Sequence, residues 1–508
     1  MLTALGIDVG TTNTKVVLVD VGTGRALAVA SAPTPPAALL GPVLDDLLAR
    51  VLPAGPAPAA VGIASMAETG VVLGPDDEPR GDWLRWDGHR AGAQADRLAA
   101  TLGRAELFAA TGVRASAKVP LATWAWLREH RPDALHAGGR WAGAADLVAL
   151  RLTGALVTDH TLAGRTMAYR LGRPGALPAG LDPELLAAVA LTSAHVPRVL
   201  APGESVPTRA GLPHLAAGLP VTVAGHDHAV GAFAAGVRAP GQVADSVGTA
   251  EVVCTVLAAD PAPAQVAAAG MSLVRTVRGD LAALVAGSSS AGGAVTAWLE
   301  RVVGPGDGPA SDERASDERA RRVADLLRRA SVVDDELVRA VGPGAEPFVV
   351  LPYVHGRQTP HPDPSATLRP VGAVPADPVA AVRGVLLGAV LHARWMLEEQ
   401  SRLAGRPPVA LRALGGPLIA NPAWAALKRW CSPVPVDLVA EGQAVAAGAA
   451  LLAAERAGLV EDAPELATSE GPTDPRQTDP RQTDPVRLDP ETVRRLLERF
   501  VAAATGPA

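Results

Sequence analysis

Asp8-Val9-Gly10-Thr11-Thr12-Asn13-Thr14-Lys15 links two runs rich in β-branched residues, 4–9 and 15–20, through a turn containing glycine and asparagine. That pattern reads as a strand, a tight turn and a second strand, a hairpin expected at the edge of a sheet. Exposed turn amides and hydroxyls form a concavity suited to anions, and an aspartate at the strand end can hold a hydrated Mg2+ beside it. The turn therefore suits a nucleotide phosphate tail, although a purely structural turn has the same composition. The stretch lacks the Gly-x-x-x-x-Gly-Lys-Ser/Thr pattern of a P-loop, so nucleotide binding here would use another design.

Downstream, helix-like Ala/Leu/Arg stretches such as 91–109 alternate with short Val/Ile-rich runs such as 60–64, which favours an α/β architecture. Strand-like runs near 221–224, 242–247 and 252–257 restart the opening pattern, and Arg238-Ala239-Pro240-Gly241-Gln242 breaks the chain between them. Two domains are expected, 1–240 and 241–456, followed by a polar, Pro-rich tail, 457–508, whose segment 489–503 should close the chain as a short helix capped by Asp489-Pro490-Glu491. Two tandem duplications, Ala-Ser-Asp-Glu-Arg at 310–314 and 315–319 and Thr-Asp-Pro-Arg-Gln at 473–477 and 478–482, read as solvated loop expansions.

The 508 residues exceed what one hydrophobic core usually organises. With 46 Lys+Arg against 52 Asp+Glu, a net charge of −6, the chain lacks the basic surplus that phosphate-backbone binding demands, which argues against nucleic acid as a partner. Its longest uncharged apolar runs, 384–393 and 444–454, are too short for a hydrocarbon layer of roughly 30 Å, so no membrane partner is expected. Cys254 and Cys431 are the only cysteines, and the start of the chain has no basic region ahead of an apolar stretch. A cytoplasmic enzyme acting on small molecules is expected.

Further strings carry chemistry. In Ala224-Gly225-His226-Asp227-His228, an acid stands at the end of an apolar strand and the start of an Ala/Gly helix. Asp227 could accept a proton from a substrate hydroxyl as that hydroxyl attacks phosphorus, or it could cap the helix. Histidines at i and i+2 with no third or fourth ligand nearby make a weak metal site. Asp245-Ser246-Val247-Gly248-Thr249-Ala250-Glu251 repeats the acidic, glycine and hydroxyl pattern of the first turn, and two such hairpins could clamp a polyphosphate. Gly287-Ser288-Ser289-Ser290-Ala291-Gly292-Gly293 departs from Gly-x-Ser-x-Gly, so a nucleophile elbow is not indicated. Glycines in Gly415-Gly416-Pro417-Leu418-Ile419-Ala420-Asn421 would let a flat base approach the backbone.

Taken in order, these strings resemble the FGGY family of carbohydrate kinases within the actin-like ATPase superfold. The resemblance runs over roughly 4–455 and includes 61–69, Trp86-Asp87-Gly88-His89-Arg90, 351–360 and 446–450. It implies two actin-like (ribonuclease H-like) domains with mixed sheets flanked by helices, an ATP cleft between them that closes, and ATP- and Mg2+-dependent phosphorylation of a sugar (a ketose such as a xylulose-like one), polyol or sugar acid. Carried over position by position, Asp8 would organise Mg2+, and Thr11, Thr12, Asn13 and Lys15 would face the ATP phosphates. Thr249 and Gly293 would serve the phosphate and nucleotide side, and Gly415, Gly416 and Asn421 the adenosine loop. Asp227 would be the catalytic base, and Glu68, Trp86, Asp87 and His226 would join it in the acceptor pocket. Ala67 stands where glycerol kinases have arginine before Glu-Thr, which speaks against glycerol. The alternative is an actin-fold ATP-binding regulatory or chaperone-like protein without kinase activity, and a homodimer is compatible with either reading.

Overall fold

A computed structural model describes residues 1–135, 138–288, 291–304, 313–469 and 488–506. The chain forms two compact units that interleave along the sequence: Met1–Pro240, Val256–Val285 and Gln443–Ala467 make the first, and Gly241–Thr255, Ala286–Gly442 and Thr468–Ala508 the second.

In the first unit, β1 (Thr3–Val9), β2 (Asn13–Asp20), β3 (Ala26–Pro33), β4 (Val61–Ser65), β5 (Val206–Pro207) and β6 (Pro220–His226) form a sheet in the order β3-β2-β1-β4-β6-β5. The β1–β2 hairpin has the expected antiparallel register, with Asp8 opposite Lys15 and Val9 opposite Thr14. The edge placement is corrected, because β1 also pairs in parallel with β4, with Asp8 opposite Ala64, and so lies inside the sheet. Its seven residues are all buried, as a run apolar on both faces requires. Parallel pairing of β6 with β4 sets Gly225 opposite Ala64 and His226 opposite Ser65. The carboxyl ends of β1, β4 and β6 therefore finish in line, the edge at which open α/β sheets place ligands. The helix Ala444–Arg456 packs on this sheet so closely that a methyl at Gly6 or Gly62 would lie 1.8 or 1.9 Å from its carbonyl oxygens. Its Ala446, Ala447, Ala449 and Ala450 are fully buried.

The single helix expected over 91–109 is two, Gly92–Leu102 and Arg104–Thr111, because Gly103 takes φ +81 between them. Helix α1 (Ala144–Thr153) begins where Gly143 donates its N–H to Asp146 Oδ2 at 2.7 Å. Burial, with Asp159 adding to it, pushes Asp146 up to about 6. A raised carboxyl contributes stability that is present below its unfolded value of 3.8 and lost as pH rises through about 6. Asp146→Asn keeps the acceptor without the charge. In paired thermal melts the variant should match the parent near pH 4 and exceed it at pH 8, by a margin on the order of 3 kcal/mol; a constant difference across pH would contradict this.

In the second unit, β7 (Gln242–Val247) is antiparallel to β8 (Glu251–Leu257) and parallel to β9 (Ala410–Leu414). Strand β9 pairs in parallel with β10 (Val436–Val439), which is antiparallel to β11 (Thr468–Ser469). The helices include α2 (Ala291–Val303), α3 (Glu313–Ala330), α4 (Pro378–Ala404), α5 (Gly416–Ala420), α6 (Pro422–Cys431) and α7 (Pro490–Thr505), the last capped by Asp489 as expected. The repeat at 315–319 lies within α3 and not in a loop, since Ala, Glu and Arg are strong helix formers; the repeats at 473–482 lie outside the described residues. Among the described residues, α4 is the one helix long and apolar enough to cross a membrane, and 83% of its apolar window is buried inside the protein. It also carries Arg383, buried and paired with Asp334 at 2.6 Å, and so serves as a core helix.

Candidate active site

The register of β1, β4 and β6 brings Asp8 and Asp227 to the same edge of the first unit. Asp8 is 5% exposed, and its Oδ1 is buried without a hydrogen-bond partner. Burial raises its carboxyl to about 7, a rise opposed by Lys15 (3.9 Å from Oδ2) and reinforced by Asp227. A buried, orphaned carboxylate oxygen is costly unless something meets it, and a hydrated Mg2+ is a fitting partner. In the adjoining turn Gly10 N–H donates to Asn13 O (3.0 Å), Thr34 N–H donates to Thr12 O (2.9 Å), and Thr12 is exposed. Thr11 Oγ1 accepts from Trp86 Nε1 at 3.1 Å, and Trp86 N–H donates to Thr69 Oγ1 at 3.1 Å, which fixes the indole against the turn. Asp87 is exposed and bound by Arg85, at 3.1 and 3.0 Å.

Glu68 follows β4 with φ +65, a conformation that a non-glycine residue holds only when its surroundings enforce it. The enforcement is ionic. Arg165 reaches Oε1 at 2.5 and 3.1 Å, and Lys118 lies 3.3 Å from Oε2. Burial pushes the carboxyl up, but Arg165 and Lys118 outweigh it and hold it at about 2. Arg165 also donates to Ser272 Oγ at 2.9 Å, so all of its guanidinium nitrogens are engaged.

Asp227 opens the helix Asp227–Ala234, and its side chain is 23% exposed. Its Oδ1 accepts the His228 N–H at 2.6 Å and lies 3.2 Å from His226 Nε2 and 3.6 Å from His228 Nε2. Burial pulls His226 down to about 4, which leaves its imidazole neutral. The loop is aimed from below: His226 N–H donates to Thr161 Oγ1 at 2.8 Å, and Thr161 bonds Asp159, which Arg456 meets at 3.3 Å. A bulge between Val223 and Gly225 and φ +131 at Gly225 bring the strand over this pair. A methyl at Gly225 would lie 2.4 Å from Thr161 Oγ1 and 2.8 Å from Asp159 Oδ1. Gly225→Ala should therefore cost about 1–3 kcal/mol of stability and depress kcat more than the acceptor KM. Melts and initial rates read both, and an unaltered kcat would show that the loop is not aimed this way.

In the second unit, Gly293 N–H donates to Thr249 O at 3.3 Å, and a methyl at Gly415 would lie 1.9 Å from Val247 O. Thr249, Gly293 and Gly415 are thus brought together; Gly416 begins α5, and Ser289 and Ser290 lie outside the described residues. Asn421 is 4% exposed and caps α6 by accepting the Trp424 N–H at 3.0 Å, so its side chain is committed to the helix start. Beneath the turn, Lys428 bridges Asp245 and Glu251 in full burial. Burial drives Glu251 upward against the pull of Lys428, and the two carboxylates together keep Lys428 protonated against its own burial.

Arg165 and Lys118 were not legible as site residues, but composition carried a signal. The chain has only three lysines among 46 basic residues. Lys15 meets Asp8, Lys118 meets Glu68, and Lys428 meets Asp245 and Glu251.

Residues 53–234 match the FGGY family of carbohydrate kinases, N-terminal domain, and residues 243–457 match its C-terminal domain. The chain is 30% identical over 489 residues to a xylulose kinase of Streptomyces coelicolor, covering 92% of this chain and 91% of that one. A xylulose kinase structure from Lactobacillus acidophilus superposes with a TM-score of 0.76 at 20% identity, covering 99% of both chains. A gluconate kinase structure from the same organism gives 0.75 at 19% identity, covering 99% of this chain and 98% of that one. These structures share the fold, two mixed-sheet domains flanked by helices of the actin-like ATPase type.

Proposed function

Because the chain belongs to the FGGY family of carbohydrate kinases, and is thus a phosphotransferase acting on a sugar, we propose that it moves the γ-phosphate of ATP to a hydroxyl of a ketose of the xylulose kind, with Asp227 as general base. The observation that carries the reading is the contrast between two carboxylates at one sheet edge. Asp8 is buried with an unmet oxygen, whereas Asp227 is partly exposed at the first residue of a helix, with Oδ1 held by the His228 N–H. Different surroundings assign different roles to like groups. Asp8 would hold Mg2+, which when bound neutralises charge on the phosphates.

The chain's own groups do the rest. Thr11, Thr12, Asn13 and Lys15 of the first unit would face the phosphates; in the second unit Thr249 and Gly293, in the first turn of α2, would serve the phosphate and nucleotide side, and Gly415, Gly416 and the Asn421-capped helix start the adenosine loop. Glu68, locked by Arg165 and Lys118, presents a fixed anion to acceptor hydroxyls. Trp86 offers a ring face to the carbon skeleton, and His226, neutral, hydrogen-bonds a hydroxyl beside the base, with Asp87 at the rim. Asp227 takes the proton as the hydroxyl attacks, and positioning supplies much of the rate. ATP use and two buried, free cysteines support action in the cytoplasm. The long match to a xylulose kinase supports the choice of a ketose.

The test is coupled ADP release with Mg2+ and ATP across ketoses, aldoses, polyols and aldonates, against a control without acceptor. Stimulation by a ketopentose is expected. Stimulation by aldonates or polyols alone would replace the acceptor, and silence across the panel with ATP bound would overturn the kinase reading.

A further inference from the structure

The two histidines around Asp227 were a weak metal site in sequence because a third ligand was lacking, and the structure supplies it from between them. Ligand atoms of His226, Asp227 and His228 all lie within 4.8 Å of one another. Both imidazole Nε2 atoms approach the same oxygen, Asp227 Oδ1, at 3.2 and 3.6 Å. A tetrahedral zinc ion with bonds near 2.0–2.1 Å separates its ligand atoms by about 3.4 Å, so both measured edges fit an ion placed between the three groups. The rings stand nearly perpendicular, 84° apart with centroids 5.2 Å apart, and so are not stacked on one another. The His228 N–H uses one lone pair of Oδ1 and leaves the other for a metal. Thr161 holds the His226 main chain in place.

We propose that His226, Asp227 and His228 form a three-ligand site for a borderline transition-metal cation of the zinc class, and that its occupation blocks phosphoryl transfer. Two imidazoles and one carboxylate with a fourth position open to solvent select Zn2+ over Mg2+, which prefers oxygen ligands. Of the facing charges on the neighbouring elements, Arg165 and Glu68 are opposite in sign and paired with each other, while Asp8, whose carboxyl Asp227 raises, adds a negative group that favours a cation. An ion bound there neutralises the Asp227 carboxylate that would accept the acceptor's proton and stands in the space beside it that the acceptor hydroxyl would enter. Inhibition is therefore competitive with the sugar and not relieved by added Mg2+. Metal binding stands on geometry alone; the kinetic consequence rests on the kinase reading.

The experiment uses full-length protein carrying no histidine tag, with Co2+ alone as the probe. Wild type should develop the intense visible absorption of tetrahedral Co2+, and Zn2+ should bleach it. In the ADP-release assay at saturating Mg2+ and ATP, Zn2+ should compete with the acceptor, and His228→Gln should raise the half-inhibiting Zn2+ concentration about ten-fold or more. His226→Gln, read by the cobalt band alone, provides a second variant should His228→Gln fail to fold. Absence of the band, or a band and an inhibition unchanged in these variants, overturns the site. A band lost in both variants from a protein that phosphorylates no sugar upholds the site while overturning the kinase reading.

Discussion

Asp227→Asn should lower kcat by about 10²- to 10⁴-fold while the chain stays folded and its nucleotide affinity holds. The amide is isosteric, and its oxygen can still accept the His228 N–H, so the start of the helix Asp227–Ala234 should survive. What disappears is the basic oxygen and one negative charge. Asp227 is one of the groups that raise Asp8, so the variant should ionise Asp8 more readily and hold Mg2+ with nucleotide at least as well as the parent. Loss of turnover with preserved or tightened binding distinguishes a missing base from a collapsed site. Initial rates and calorimetry with a non-hydrolysable nucleotide read the two quantities, and near-full turnover would remove Asp227 from the chemistry.

Lys428→Met should destabilise the second unit by about 3–5 kcal/mol. Lys428, Asp245 and Glu251 are 5%, 3% and 0% exposed, so removing the cation strands two carboxylates where water cannot reach them. Asp245 Oδ1 and Glu251 Oε2 already lack partners, which leaves the cluster no reserve. Burying a methionine in place of the lysine stem recovers packing but not the charge. Because Asp245 and Glu251 flank the turn bearing Thr249, nucleotide affinity should fall with stability. Adding Glu251→Gln should restore part of the loss, since one of the two buried acids left facing each other without Lys428 is then replaced by a neutral amide. Denaturant melts of the single and double variants test this, and a single variant as stable as the parent would contradict it.

The elements read correctly from sequence are those whose cause is local. The β1–β2 hairpin follows from β-branched runs around a glycine turn, and Asp227 at a strand end follows from an apolar run meeting an Ala/Gly helix. The errors arise where a distant or conformational cause decides. Strand β1 became interior through β4, more than fifty residues away, and Gly103 ended a helix that periodicity alone would have continued. Arg165 reaches Glu68 across 97 residues, a pairing that leaves no periodic trace. The sequence reading of the histidines counted His226 and His228 as a pair and left out the carboxylate between them, whose ligand atoms the fold brings within 4.8 Å of both.

A sugar kinase joins the γ-phosphate of ATP to a hydroxyl on a sugar carbon. Phosphorus NMR of the products formed from ATP, Mg2+ and D-xylulose tests for that transfer most directly. A new phosphomonoester resonance coupled to sugar protons, growing in step with ADP and lost with Asp227→Asn, is the predicted result. ADP accompanied only by inorganic phosphate, with this acceptor and with every other in the panel, would show that the chain hydrolyses ATP without phosphorylating a sugar.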